Sequence, residues 1–364
     1  MSAATPILFV LGLIGLIGGA ELLVRGGVAV ARRTGLSPVV IGLTVVSFGT
    51  SAPELAVSIG AATRGEADLA VGNVIGSNIA NILLVLGTAA LVGGGLTVAR
   101  RLTRIDIPIM IAASVLFLVL SLDGGLGRLD GMILFGSLVV YLGWMIRNAR
   151  RGNDPEAAGA LAAGVDTEIA VARPVVFDLG LLIAGLATLT IGANLLVTAA
   201  TDIATRFGIS QLVIGLTVVA IGTSLPEIAT STIAALRGER ELAVGNAIGS
   251  NIFNLLAVLG ITSIVSPLPL NVMDAAITID IPIMIATAVA ALPLFATGYI
   301  LNRWEGAVFV TYYAIYMVWL VLDATGAAIR DGYATAMVWF VAPLTALTLG
   351  VIVFRDWQRR SGRI

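Results

Sequence analysis

The chain of 364 residues contains no cysteine, no histidine and no lysine. The absence of cysteine excludes disulfides, thiol catalysis and thiolate metal ligands, and the absence of histidine excludes imidazole bases and the commonest transition-metal ligand. Charged residues are scarce as well, at 12 % of the chain, where soluble domains have roughly a quarter. Any ion that this chain binds must therefore be held by oxygen atoms.

Hydrophobic residues make up 58 % of the chain, and its mean hydropathy is +1.02. These values exclude a soluble globular domain and predict a polytopic membrane protein. Eleven apolar runs are long enough to cross about 30 Å of hydrocarbon as helices. They lie near residues 6–30, 38–62, 69–96, 105–122, 130–147, 175–200, 211–235, 242–265, 276–297, 305–323 and 334–354.

A block of the sequence occurs twice. Residues 40–87 recur at 213–260 with about 34 identical positions. Since each half carries five predicted spans, an odd number, the second copy must cross the membrane in the opposite direction, as inverted repeats of secondary transporters do. We expect an all-α membrane protein of two inverted five-helix repeats with broken helices at the core and one extra carboxy-terminal helix. The expected segments are a first repeat at 1–147, a linker at 148–174, a second repeat at 175–323, and the extra helix with a basic tail at 324–364.

The arginines are distributed unevenly between the two sets of loops. Sixteen of the 21 lie on one set, four lie on the other, and Arg25 lies within the first apolar run. Because arginine-rich loops face the cytoplasm, we expect a plasma (inner) membrane protein with its amino terminus outside and its linker and carboxy terminus in the cytoplasm. The expected partners are the lipid bilayer and small ions, with no nucleic acid and no resident cofactor.

Each copy carries Gly-Thr-Ser-x-Pro-Glu inside an apolar run, beginning at Gly49 and Gly222. Proline removes a backbone donor and glycine loosens the helix, so each span should break here into two half-helices. Gly-Ser-Asn-Ile-x-Asn follows on the next span. Glu54 lies 11 residues before the turn at Gly65 and Ser77 lies 12 after it, so at about 1.5 Å per residue the two side chains should face each other at similar depth.

These motifs also allow plainer interpretations. Ser-x-x-Glu with proline at the helix start is a capping box, the Gly-x-x-x-Gly patterns at Gly72 and Gly245 are typical of helix packing, and Asn78 and Asn251 are expected to bond to backbone. Capping does not explain acids at the middle of a bilayer, where each costs about 2.5–3.5 kcal/mol on insertion scales. Carboxylate, hydroxyl and carbonyl oxygens are the ligands of hard cations. We therefore predict a cation site between the two halves.

Other acids in the spans have structural explanations. Glu21 and Arg25 are one turn apart, which favours an intrahelical ion pair. Asp106 and Asp280 each precede an Ile-Pro-Ile-Met-Ile segment, where an acid is expected to complement a helix amino terminus.

In the repeated motifs the chain resembles the sodium/calcium exchanger family of the cation/calcium antiporter superfamily, whose two alpha-repeats correspond to about 40–87 and 213–260 here. The resemblance implies that Glu54 and Glu227 are calcium ligands shared with sodium, and that Thr50 and Thr223 give backbone carbonyls to calcium. It implies further oxygen ligands around flanking sodium ions and a polar pair closing the centre. These residues are Ser47 and Ala220 (carbonyls), Ser51, Ser224, Ser77 and Ser250 (hydroxyls), and Asn81 and Asn254 (the pair).

The resemblance implies an electrogenic antiporter that exports Ca²⁺ in exchange for Na⁺ and is not an enzyme. Asn254 stands where potassium-dependent relatives have aspartate, so potassium dependence is not expected. Proton-coupled relatives carry Gly-Asn-Ala-x-Glu in place of the motif seen here, which favours sodium. Oxygen ligands alone leave open a proton/calcium exchanger or a sodium exchanger for another divalent cation. An intramembrane enzyme using the two glutamates as acid and base is a remote alternative, since few other catalytic groups exist.

Overall fold

The structure, a computed structural model, describes residues 4–150, 174–296, 298–337 and 350. Almost all of the described chain is helical. The helices are α1 Ala4–Thr34, α2 Pro38–Thr50, α3 Ala52–Thr63, α4 Ala67–Val92, α5 Leu102–Leu120, α6 Arg128–Arg150, α7 Val175–Arg206, α8 (211–223), α9 Leu225–Leu236, α10 Arg240–Val265, α11 Ala276–Phe295, α12 Arg303–Thr325 and α13 Arg330–Ala336. The four strands are β1 Leu96–Thr97, β2 Gly125–Leu126, β3 Leu270–Asn271 and β4 Ile300–Leu301.

Eight of the described helices are long and apolar enough to cross a membrane. Two further spans are broken: α2 and α3 bend by 41°, and the corresponding pair in the second repeat bends by 55°. Both breaks fall at the predicted motifs. The predicted linker at 148–174 and the predicted eleventh span at 334–354 lie almost wholly outside the described residues.

Six of the helices contain a π-helical turn, and these turns occupy matching positions in the two repeats. They are Gly42–Val46, Asn81–Val85, Leu102–Asp106, Gly215–Val219, Asn254–Val258 and Ala276–Asp280. A π turn inserts one residue into the helix and is frequent at functional sites. Two of them begin at Asn81 and Asn254, residues of the predicted cation site.

Helices α1 and α7 form an antiparallel pair in backbone contact. A Cβ atom added at Gly19 would lie 2.5 Å from the Leu189 amide nitrogen, and one at Gly185 would lie 2.5 Å from the Leu23 amide nitrogen. Glycine is required at such crossings because a side chain would separate the helices. The pair is also tied by the Arg33–Asp178 ion pair, 3.0 Å.

Short strands connect the two repeats on opposite sides of the molecule. β1 pairs antiparallel with β4, and β2 pairs antiparallel with β3. Each pair joins a strand of one repeat to a strand of the other, in positions exchanged by the duplication. Two inverted five-helix repeats therefore interlock around one core, as the sequence predicts.

Candidate ion-binding site

The two breaks bring the repeated glutamates together. Glu54 and Glu227 are the third residues of α3 and α9, just after the breaks. Both are fully buried, and they lie close enough for their carboxylates to repel each other. Like charges repel strongly where water is excluded, and a cation held between them would relieve the repulsion.

The capping-box interpretation of these motifs is wrong. Ser51 and Ser224 occupy the N-cap positions of α3 and α9, but neither side chain makes a capping hydrogen bond. Ser51 instead faces Glu227 of the other repeat. The Ser51 hydroxyl is therefore directed to the site, and neither serine caps its helix.

Hydroxyl groups from both repeats line the carboxylates. Thr50 Oγ1 lies 3.3 Å from Ser250 Oγ, and Ser250 Oγ lies 3.5 Å from Glu227 Oε1. On the other side of the site, Ser77 faces Glu54. The predicted alignment of Ser77 with Glu54 on facing helices is thus observed.

Many of the buried oxygens at the site make no hydrogen bond of normal geometry to any described residue. Buried polar atoms are normally paired, and an unpaired one costs about 1–3 kcal/mol. A cation coordinated by several of them would remove this cost. The atoms are both carboxylate oxygens of Glu54, one of Glu227, the hydroxyl oxygens of Ser51, Ser77 and Ser224, and the side-chain amide oxygens of Asn81 and Asn254.

The formal charge of the site comes from the two glutamates. Among the described residues, no group of three or more acidic side chains is arranged to hold a metal ion. Ten of the twelve predicted site residues are buried, namely Glu54, Glu227, Thr50, Ser51, Ser224, Ser77, Ser250, Asn81, Asn254 and Ser47. The other two, Thr223 and Ala220 on α8, are half-exposed and exposed.

The first repeat closes one side of the site by packing α2 against α10. A Cβ atom at Gly245 would lie 2.8 Å from the Val39 carbonyl oxygen, and one at Gly249 would lie 2.6 Å from Ser47 Oγ. These contacts leave no space for a side chain. The predicted packing role of the second Gly-x-x-x-Gly pattern is thus observed.

The second repeat leaves the opposite side open. A Cβ atom at Gly72 or Gly76 of α4 would meet no atom of the described residues within 4 Å, so at these glycines α8 does not pack on α4 as α2 packs on α10. The predicted packing role of these two glycines is wrong for this conformation. This loosely packed side, called the open side below, lies along α8 at the end of the molecule where α1 begins, since Thr5 hydrogen-bonds Asp202 near the end of α7.

The neighbouring asparagines also differ from expectation. Asn78 and Asn251 donate their side-chain amides to the sulfur atoms of Met284 and Met110, at 3.6 and 3.3 Å, and not to backbone. Each contact joins a central helix of one repeat to a helix of the other. Their role is to pack the repeats together.

The other membrane acids are held by specific partners. Asp106 lies inside the continuous helix that begins at Leu102 and not at a helix amino terminus. Its carboxylate accepts a hydrogen bond from Tyr141 at 2.8 Å and pairs with Arg101 at 3.3 Å. Asp280 is bonded in the same way by Tyr316. Each acid is the last residue of a π turn, about one turn inside the helix, and it is held by these partners and not by a free helix amino terminus. The expected anchoring role is thus observed.

Glu21 pairs with Arg25, as predicted, and also with Arg237 of the second repeat. Sequence reasoning missed this second partner. It also missed two asparagines, the half-buried Asn73 and the buried Asn246, that contact the site threonines. The signal that could have identified them is their identity at matching positions of the duplication.

The sequence profile of the family described as sodium/calcium exchanger protein matches residues 4–147 and 177–322. The chain belongs to the sodium/calcium exchanger family. This exchanger is 40 % identical over 308 residues to the putative antiporter CaxA of Alkalimonas amylolytica, covering 83 % of this chain and 94 % of CaxA. It is 32 % identical over 343 residues to the sodium/calcium exchanger MaX1 of Methanosarcina acetivorans, covering 86 % and 97 %.

A solved structure matches the exchanger along almost its whole length. The sodium-calcium exchanger NCX_Mj, soaked with 2.5 mM Na⁺ and 0.1 mM Ca²⁺, has a TM-score of 0.73 and 33 % sequence identity, covering 87 % of this chain and 99 % of NCX_Mj. The predicted family and the predicted two-repeat fold are therefore confirmed.

Proposed function

We propose that this exchanger carries Na⁺ and Ca²⁺ in opposite directions across the membrane, and that both ions use Glu54 and Glu227. The observation that carries the proposal is the meeting of these two buried acids from opposite repeats. The relative MaX1 is named a sodium/calcium exchanger, and NCX_Mj was soaked with both ions. Because the ions compete for one pair of carboxylates, binding of one requires release of the other, which couples their movements.

The remaining ligands are proposed from the oxygen atoms that surround the acids. The backbone carbonyls of Thr50 and Thr223 complete the calcium site, because each threonine ends a half-helix directly before a break. Sodium ions bind on either side of it. Their proposed ligands are the carbonyls of Ser47 and Ala220 and the hydroxyls of Ser51, Ser224, Ser77 and Ser250, with Asn81 and Asn254 at the centre.

The charge of the site makes transport electrogenic. Two carboxylates neutralise one Ca²⁺, whereas three Na⁺, the number usual in the family, leave one positive charge. Moving this charge is worth about 2.3 kcal/mol per 100 mV. With the arginine-rich loops in the cytoplasm, the open side along α8 faces outward, and an inside-negative potential favours Na⁺ entry and Ca²⁺ export.

The proposal is tested with purified protein in liposomes loaded with Na⁺ and diluted into Na⁺-free medium containing labelled calcium. We expect calcium uptake that requires the Na⁺ gradient and increases when a potassium diffusion potential makes the interior positive, because Na⁺ exit then carries net charge outward. Uptake driven by a pH gradient without Na⁺ would favour the proton-coupled alternative. Equal flux with and without either gradient would refute antiport.

A further inference from the structure

Two asparagines lie one helical turn before the site serines and outside the proposed ligand set. Asn73 precedes Ser77 by four residues on α4, and Asn246 precedes Ser250 by four residues on α10, so each shares a helix face with a site serine. They occupy matching positions in the duplication. An amide can both donate and accept hydrogen bonds, which allows it to join two polar groups that do not touch.

Asn246 joins the two repeats through such a bridge. Its Oδ1 accepts a hydrogen bond from Thr50 Oγ1 at 3.2 Å, and its Nδ2 donates to Ser231 Oγ at 3.0 Å. Ser231 in turn donates to the Ala243 carbonyl at 3.2 Å. Thr50, Asn246 and Ser231 are all fully buried. The amide is therefore fixed at both ends, with its acceptor directed at Thr50.

Asn73 makes the same bridge in the other direction. Its Oδ1 accepts from Thr223 Oγ1 at 3.4 Å, and its Nδ2 donates to Ser58 Oγ at 3.0 Å and to the Glu54 carbonyl at 3.2 Å. Ser58 donates to the Ala70 carbonyl at 3.4 Å. Each asparagine thus holds the threonine of the opposite repeat while being held by a serine of its own.

We propose that Asn73 and Asn246 are positioning residues of the calcium site, and that each fixes the direction of the backbone carbonyl of the threonine it binds. This inference rests on the proposed function. Thr50 and Thr223 are the last helical residues before the breaks. A half-helix end has few backbone hydrogen bonds to hold it, so the side-chain hydroxyl is the contact that fixes how the last carbonyl points. Outer partners of this kind typically change metal affinity by about 10- to 100-fold when removed.

The role is tested with a double-mutant cycle. Thr50→Val removes the hydroxyl and keeps the carbonyl and the side-chain shape, whereas Asn246→Ala removes the acceptor. We expect each variant to raise the calcium KM of Na⁺-driven uptake by at least about tenfold with a smaller change in maximal rate. Thr50→Val also removes the contacts of the hydroxyl with the Ser47 carbonyl and Ser250 Oγ, so it should be the poorer single variant. Because both changes break the Thr50–Asn246 hydrogen bond, the double variant should be little worse than Thr50→Val.

A matched control separates positioning from general loss of packing. Asn251→Ala truncates another buried asparagine of α10, one that bonds to Met110 and not to a threonine, so its calcium KM should stay near that of the wild type. Additive effects in the cycle, or an equal rise of KM in Asn251→Ala, would overturn the positioning role. If Asn246→Ala does not fold, an unchanged KM in Thr50→Val alone would overturn it as well. Wild-type protein without Na⁺-dependent uptake would instead refute the proposed function.

The same cycle on the other bridge gives an independent test. Thr223→Val and Asn73→Ala should again be non-additive, with calcium KM raised at least about tenfold by each. Calcium binding measured by calorimetry in detergent, without transport, should weaken in parallel. Normal calcium binding in both single variants would show that the bridges do not set the site.

Discussion

At the scale of single residues, the cost of burying Glu54 and Glu227 is the feature that function must explain. Neither glutamate has an arginine partner among the described residues, in contrast to the buried Asp106, which pairs with Arg101. Unpaired buried acids destabilise a fold. On the proposed function, the transported cations supply the missing charge.

We predict that Glu54→Gln and Glu227→Gln each abolish Na⁺-driven calcium uptake, since removing one charge leaves a divalent cation with a single carboxylate. Binding of calcium should be undetectable by calorimetry, whereas thermal stability in calcium-free buffer should be unchanged or higher, because a buried charge is lost. The control is Glu66→Gln, which changes an exposed acid on the α3–α4 turn. Normal uptake in either buried variant would contradict the shared-ligand assignment.

The sequence predicted which residues meet at the candidate site but not their hydrogen bonds. The duplicated Pro-Glu motif predicted the broken helices, and turn-to-residue distances placed Ser77 opposite Glu54. The capping role of Ser51 was wrong because the same Ser-x-x-Glu spacing serves either a helix end or a site facing another helix. Local sequence does not distinguish the two, since the choice depends on Glu227, a residue of the other repeat.

At the scale of helices, α1 and α7 form one unit separate from the helices that carry the site. Backbone contacts at their glycines and the Arg33–Asp178 ion pair hold them together. α1 packs along α9, whereas in the described residues the corresponding pair, α7 and α3, makes no comparable contact. The interface between the α1–α7 unit and the core is thus closed on one side and open on the other.

The glycines of this helix pair give a matched test of the packing. Gly19→Ala would place a methyl group 2.5 Å from the Leu189 amide nitrogen, whereas Gly18→Ala would meet no atom within 4 Å. Overpacking typically costs about 1–3 kcal/mol. We expect the melting temperature in detergent to fall for Gly19→Ala and to hold or rise for Gly18→Ala. Equal stability of the two variants would mean that the helices do not approach as closely as observed.

The turn between α9 and α10 fastens the closed side of this interface. Arg237 pairs with Glu21 of α1, and Glu239 of the same turn faces Arg32. Partial burial raises the pKa of the Glu239 carboxyl, and the Arg32 charge opposes that shift. Among the described residues, the corresponding Arg64 of the first repeat pairs with Glu66 of its own turn, at 2.9 Å. Sequence alone could not predict the Arg237–Glu21 contact, because 216 residues separate its partners.

We predict that Arg237→Gln shifts the exchanger toward the conformation closed along α8. The ion pair is partly exposed, and such pairs contribute about 0.2–1 kcal/mol, so the shift should not exceed about fivefold. The chain has no native cysteine, which lets Gly72→Cys report the open side by its rate of labelling. Labelling should slow in Arg237→Gln and be unaffected in Arg64→Gln, the matched control. Faster labelling in Arg237→Gln would contradict the fastening role.

At the scale of the whole molecule, the two related repeats pack differently, and this asymmetry is the proposed basis of transport. The inverted duplication allows a second conformation in which the two repeats exchange roles, so that α8 packs on α4 while α2 leaves α10. Sequence comparison could not predict which side is open, because the same Gly-x-x-x-Gly pattern occurs in each copy. The structure identifies the open one by the free space at Gly72 and Gly76.

Exchange of roles makes Gly76 a test of alternating access. In the observed conformation a Cβ atom added at Gly76 meets no described atom within 4 Å, but after the exchange it would meet α8 as a Cβ atom added at Gly249 now would meet Leu43 Cα, at 2.7 Å. We therefore expect Gly76→Val to bind calcium with near-normal affinity and to lose Na⁺-driven uptake, because the open side cannot close. Gly143→Val, another glycine with no atom within 4 Å of an added Cβ, should retain both properties. Loss of calcium binding in Gly76→Val would indicate direct damage to the site, and normal uptake would show that α8 never closes onto α4.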